Sequence, residues 1–145
     1  MKARLDIAQE KGCDAVDPDN IDAFHNDSGT GVTRAQTVEY IEFLSTEAHE
    51  RGLGVGLKNG LDLVKDVVDL VDFAVNEQCQ QYEECHTLAP FVDDEKPVFA
   101  IEYPDSPTQL SAAAREKICN AEDTTGFSIL IKKMNLDSWV HACPV

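Results

Sequence analysis

The sequence predicts an α/β protein in which short parallel strands alternate with helices. Three observations predict it. Apolar runs of four or five residues recur at Cys13 to Val16, Asp72 to Val75 and Pro97 to Ile101. A segment of helical character separates each run from the next, which is the pattern of successive βα units. Each run is followed at once by polar groups that include a carboxylate: Asp17-Pro18-Asp19-Asn20, Asn76-Glu77-Gln78 and Glu102-Tyr103. Active sites of barrels and of open α/β sheets lie at the carboxyl ends of the strands. Three acid-bearing strand ends therefore read as an acid-lined active site.

Each element has its own local reason. Met1 to Lys11 reads as a helix with no strand before it, because Ala3, Leu5, Ile7 and Ala8 are spaced among charged and amide residues and Gly12 follows as a C-cap. Cys13 to Val16 is a strand that Pro18 stops, and Asn20 to Val32 is a polar loop. Thr33 is the N-cap of a helix through Arg51, whose apolar stripe is Val38, Ile41, Phe43, Leu44 and Ala48. Gly52 closes that helix, and Gly54 to Leu57 is a strand ending at Lys58-Asn59. A short helix over Leu61 to Leu70 leads to the strand at Asp72 to Val75, and a helix over Gln80 to Leu88 leads to the strand at Pro97 to Ile101. Pro107 and Thr108 open a helix that runs to Asn120, and Phe127 to Ile131 is the last strand. An eightfold (β/α) barrel needs about 250 residues. A chain of 145 residues supplies about five of the eight strands, and no linker or low-complexity tract divides residues 1–145 into two domains.

Composition narrows the partners. With 43% apolar and 27% charged residues the chain is an ordinary globular one. Its net charge of −15 disfavours nucleic acid and anionic membrane, which would repel it, and favours a cationic ligand. No apolar stretch approaches the roughly 20 residues that cross a bilayer. The N-terminus begins with charged residues and shows no export signal. Five cysteines are many for a cytosolic domain, and no CxxC pair suggests zinc. Cys79 and Cys85 are close enough for a local disulfide. Cys119 and Cys143 could tie the last helix to the tail, closing a loop of roughly 25 residues worth about 3 kcal/mol in the loop-entropy model. Cys13 is left over and is expected to be a buried strand thiol.

Asp17-Pro18-Asp19-Asn20 sets two carboxylates and an amide within four residues. Pro18 holds Asp17 extended, so that Asp17 and Asp19 project to the same side; an Asx turn is the structural alternative. Glu77 between two amides has no obvious solubility role. Glu102 is the third strand-end acid, with Tyr103 beside it as a stacking ring or hydroxyl donor. Glycoside hydrolysis needs two carboxyl groups, one to protonate the leaving oxygen and one to act as nucleophile or to activate water.

The segments GCDAVDPDNIDAF, AHERGLGVGLKN, DFAVNEQCQQYEEC and KPVFAIEY resemble, in that order, the catalytic domain of glycoside hydrolase family 114. This family contains endo-α-1,4-polygalactosaminidases and spherulin 4-like proteins, and the resemblance runs from about Gly12 to Trp139. It implies a TIM-type barrel, here N-terminally truncated, from a secreted enzyme acting on galactosamine-containing polysaccharide without a cofactor. It maps the catalytic pair onto Asp19, as nucleophile of a retaining mechanism, and Glu77, as acid/base. Asp17, Asn20, Lys58, Asn59, Gln78, Glu102 and Tyr103 would line the sugar subsites. The family's Cys-x5-Cys is matched by Cys79 and Cys85, which implies a disulfide.

Two alternatives stand beside this reading: an inactive carbohydrate-binding remnant, and a Schiff-base lyase using Lys58. His25, His49, His86 and His141 show no HxH or HExxH spacing, so no catalytic metal is expected. His49 fits the dipole at a helix C-terminus. Gly52-Leu53-Gly54-Val55-Gly56 precedes its strand, which is the wrong side for a phosphate loop. Trp139 and the other aromatics are expected mainly in the core.

Overall fold

A computed structural model of the chain describes residues 1–25 and 28–144. Contacts divide it into two compact units, one from Met1 to Ala74 and one from Val75 on. Among the described residues there are six strands, and their order in the sheet follows the chain.

The first unit begins with helix α1 (Lys2–Glu10) and strand β1 (Ala15–Val16). Helix α2 (Arg34–His49) leads to strand β2 (Gly54–Lys58), which pairs in parallel with β1 in the register Ala15–Gly54. Thr33 caps α2 as expected: its hydroxyl accepts from the backbone N–H of Gln36, and the Gln36 side chain accepts from Thr33 N at 2.9 Å. Gly52 follows the helix with φ +68°. An ion cluster holds α1 to α2, with Arg51 bound to Asp6 at 2.6 Å and to Glu47 at 2.9 Å, and Lys2 to Glu47 at 2.5 Å. The core between these elements is Leu5, Ile41, Leu44, Ala48, Leu53, Val55 and Leu57. The glycine run has a packing explanation. A Cβ on Gly56 would stand 2.4 Å from the Phe73 ring, so β2 is bare there because an aromatic lies across it.

Helix α3 (Val64–Val67) precedes strand β3 (Phe73–Glu77), along which the chain passes into the second unit. Helix α4 (Ala89–Asp93), strand β4 (Val98–Glu102), helix α5 (Ala112–Cys119) and strand β5 (Phe127–Lys132) follow. β4 and β5 pair in parallel from Val98–Phe127 to Glu102–Ile131. Strand β6 (Val140–Ala142) then pairs antiparallel with β5. Phe91, Leu88, Val98, Ala100, Ile129 and Ile131 are buried in this unit.

The structure corrects the predicted elements in several places. β3 and β4 run on to Glu77 and Glu102, so Asn76, Glu77 and Glu102 are strand residues, where the apolar run alone suggested earlier ends. The predicted helix over Gln80 to Leu88 is a turn closed by the Cys79–Cys85 disulfide, and helical structure begins only at Cys85. Pro107 opens a 3-10 turn, and α5 begins at the Ser111 cap, whose hydroxyl accepts from Ala114 N at 3.1 Å. β6 was not predicted; three residues give no periodic signal. Cys13 lies in an exposed turn as a free thiol, because the first strand is two residues long. The predicted polar loop Asn20 to Val32 holds a 3-10 turn at Ala23–His25, while Asn26 and Asp27 lie outside the described residues. Both anticipated disulfides are present, Cys79–Cys85 and Cys119–Cys143.

Candidate active site

In the first unit the acids follow β1. Asp17 and Asp19 are exposed. Asp19 Oδ1 accepts from the backbone N–H of Asn20 at 3.0 Å and pairs with Lys58 Nζ at 3.4 Å. Lys58 ends β2 with its side chain 14% exposed, against 64% for Asp19, so the lysine stem is packed and its ammonium reaches out to the carboxylate. That ion pair commits the amine that a Schiff-base mechanism would need free. Asn20 and Asn59, the residues that turn the chain after the two strand ends, adopt φ of +57° and +52°. Asparagine tolerates this left-handed conformation better than most residues. A cavity of about 500 Å³ lies beside the motif, lined by Val16 to Ile21 together with Arg4, Leu5, Tyr40 and Leu44 among others.

In the second unit the acids sit on β3 and β4. Glu77 is the last residue of β3, and its Oε1 accepts from the Tyr103 hydroxyl at 2.5 Å. Burial, and next the Glu77 carboxylate, push the Tyr103 hydroxyl pKa above its ordinary value, so the phenol keeps its proton. Gln78 turns the chain away from β3 with φ +67°, its backbone N–H donating to Ile101 O at 2.8 Å. The Gln78 side chain donates to Gln81 Oε1 at 2.6 Å.

Glu102 stands differently from the other expected sugar ligands. It is 4% exposed and accepts from the Gln80 backbone N–H at 3.0 Å. Burial raises its pKa, and the donated N–H groups of Gln80 and Gln81 pull it partly back. Its carboxylate braces the turn that follows Glu77. Strand alternation carries a signal for this that sequence reasoning passed over: Val98, Ala100 and Glu102 share the buried face of β4. The surrounding groove, about 980 Å³, is lined by Tyr103 and by Glu83, Asp105, Glu116 and Asp123 among others.

Two look-alike clusters carry no chemistry. Cys79, Cys85 and Glu102 offer three ligand atoms within 4.8 Å of one another, but the sulfurs are bonded to each other and present no thiolate. Ser45, His49 and Asp72 have the residue types of a hydrolytic triad, with His49 Nε2 2.8 Å from Asp72 Oδ2. The Ser45 hydroxyl, however, is buried and donates to Leu70 O, and Asp72 also accepts from Val55 N at 2.8 Å. This is a strut between α2 and the sheet, and it gives His49 a specific partner beyond the helix dipole. Trp139 is half-buried, and Tyr40, Phe43, Tyr82 and Phe99 are exposed, so the aromatics are less uniformly core than predicted.

The sequence profile of glycoside-hydrolase family GH114 matches residues 1–145. The chain belongs to glycoside hydrolase family GH114. Its fold matches a crystal structure of Ega3 from Aspergillus fumigatus in complex with galactosamine with a TM-score of 0.90 at 43% identity, covering 99% of this chain and 59% of that one. The glycoside hydrolase domain of PelA from Pseudomonas aeruginosa matches with a TM-score of 0.67 at 14% identity, over 97% of this chain and 61% of that one, a likeness of fold. No curated protein sequence matches the chain. This GH114 chain thus spans about three fifths of each structure it resembles, and its α/β fold is that of part of a TIM-type barrel glycoside hydrolase.

Proposed function

We propose that this GH114 chain carries the catalytic carboxylates of an enzyme that hydrolyses α-1,4-galactosaminidic bonds in galactosamine-containing polysaccharide. The observation that carries the reading is the 43% identity, over 99% of the chain, to a protein crystallised with galactosamine. Asp19 is the nucleophile and Glu77 the acid/base of a retaining mechanism. Each stands at or just beyond the carboxyl end of a parallel strand in its own unit, where barrel enzymes assemble their sites. Asp17, Asn20, Lys58 and Asn59 in the first unit and Gln78 and Tyr103 in the second are the proposed sugar ligands, and Glu102 braces the turn after Glu77 by accepting from Gln80 N. Two disulfides favour an oxidising compartment and hence secretion, and among the described residues no helix is long and apolar enough to cross a membrane.

The test is hydrolysis of de-N-acetylated galactosamine polymer, followed by reducing ends released, with the anomer formed first read by NMR. Glu77→Gln and Asp19→Asn should each lower the rate by about a hundredfold or more. Retention of configuration supports the assigned roles; inversion would make Asp19 a base. Binding without cleavage in the unsubstituted protein would favour the carbohydrate-binding remnant, and borohydride trapping at Lys58 would revive the lyase.

A further inference from the structure

We propose that Glu102 is a positioning residue for Glu77, acting through the turn over residues 78–84, which its carboxyl group ties to the end of β4. This deepens, and rests on, the reading of Glu77 as the acid/base. Proton transfer to a glycosidic oxygen works only over hydrogen-bond distance, and a misplacement of about 1 Å can cost roughly a hundredfold in rate. A residue that sets where the chain leaves Glu77 therefore bears on catalysis without touching substrate.

The turn is a closed block. The disulfide between Cys79 and Cys85 closes it, and both cysteines are buried. Inside it Glu84 N donates to Cys79 O at 2.9 Å and Tyr82 N to Gln78 O at 3.2 Å. Such a block moves as one piece, so its bonds to the rest of the unit decide its orientation. Its mounting on β4 has two points. Gln78 N donates to Ile101 O at 2.8 Å, while Glu102 accepts from Gln80 N at 3.0 Å and also from Gln81 N. One hydrogen bond alone is a pivot; a second anchor further along the chain fixes the direction. Gln80 Nε2 donates to Ile118 O at 2.9 Å and so adds a hold on α5.

A carboxyl group suits this position. Two backbone N–H groups converge on one side chain that is 4% exposed. A carboxyl group offers them two acceptor oxygens, where an amide offers one and adds donors of its own. The next residue, Tyr103, donates its hydroxyl to Glu77 Oε1 at 2.5 Å. Neighbouring residues at the end of β4 thus hold Glu77 and the block that follows it. Without the Glu102 anchor the block can swing about the bond between Gln78 and Ile101, and Glu77 moves with it.

The anchor can be read by NMR in the 145-residue chain. In the unsubstituted protein a scalar coupling across the hydrogen bond should connect Gln80 N to the Glu102 carboxyl carbon, and its absence overturns the inference. In Glu102→Ala the Gln80 and Gln81 amide protons should exchange about tenfold faster or more, and the Glu77 carboxyl carbon, assigned by its loss in Glu77→Gln, should shift. Glu102→Gln, which keeps one acceptor oxygen, should show smaller changes in the same direction, and it decides the matter if Glu102→Ala does not fold. With galactosamine polymer as substrate, kcat per folded molecule should fall about tenfold in Glu102→Ala and less in Glu102→Gln, with KM within about twofold. A Glu77 carbon that stays in place while the two amides exchange faster overturns the inference, because the turn would then not place Glu77. A rise in KM with kcat unchanged overturns it too. The NMR readouts do not require cleavage, so their failure is distinct from failure of the glycosidase reading, which unimpaired cleavage by Glu77→Gln would show. That last result would also take away the catalytic meaning of the anchor.

Discussion

Glu102 is the residue whose role a strand-end position disguises. Its buried carboxylate has a pKa raised first by desolvation, so the folded state favours the neutral acid more than the unfolded chain does. The stability this group supplies is fully present below the ordinary glutamate value and is lost as pH rises through the folded value. The difference in unfolding free energy between the parent and Glu102→Gln should therefore change with pH across that interval, as measured by urea melts in acid and at neutrality. A constant difference would show that Glu102 titrates normally. Gly56 makes the second residue-scale case. A Cβ 2.4 Å from the Phe73 ring forces the ring to move, so Gly56→Ala should cost about 1 to 3 kcal/mol of stability in a denaturant titration. The positions of Asp19 just beyond β1 and of Glu77 at the end of β3 were legible because acids after apolar runs stand out in one dimension. The burial of Glu102 was written in the alternation of β4 and was passed over, whereas the ring over Gly56 was not legible, since it depends on which neighbour lies across the sheet.

At the level of elements, what the sequence revealed was what local chemistry decides. Thr33 and Gln36 form a reciprocal cap on α2, and four residues suffice to write it. Thr33→Ala should cost about 1 kcal/mol, seen as a lower midpoint in thermal unfolding by circular dichroism. The Lys2, Glu47, Arg51 and Asp6 cluster joins α1 to α2. Lys2, then Arg51, hold the Glu47 pKa below its ordinary value, so this contribution is present above that value and fades as pH falls through the folded one. Elements set by long-range partners were misread. The segment after Cys79 has helical composition but is bent by a disulfide, and β6 exists because β5 offers it an edge. Pro107 was read as a helix start because proline suits that position, yet the hydroxyl cap at Ser111 decides where α5 begins.

For the molecule as a whole, charge and thiols give the sharpest expectations. A net charge of −15 should draw a cationic, de-N-acetylated galactosamine polymer. Its binding should weaken as the Debye length falls from ~10 Å at 0.1 M salt to ~3 Å at 1 M, while an N-acetylated polymer should show little change. Equal salt dependence for both would refute the electrostatic account. Of five cysteines, four are paired and Cys13 is exposed and free. A thiol reagent should thus label one site without unfolding, and reduction should be needed to expose the rest.

β6 is only three residues long, and its pairing with β5 spans Leu130–Ala142 to Lys132–Val140. Cys143 follows it and is tethered to Cys119 at the end of α5. With the tether open, the entropy of a loose tail competes with three residues of pairing, and the flank of β5 is left for another chain to claim. The compartment chosen for recombinant production should therefore govern the yield: soluble protein from the periplasm or the endoplasmic reticulum, and inclusion bodies from a reducing cytosol.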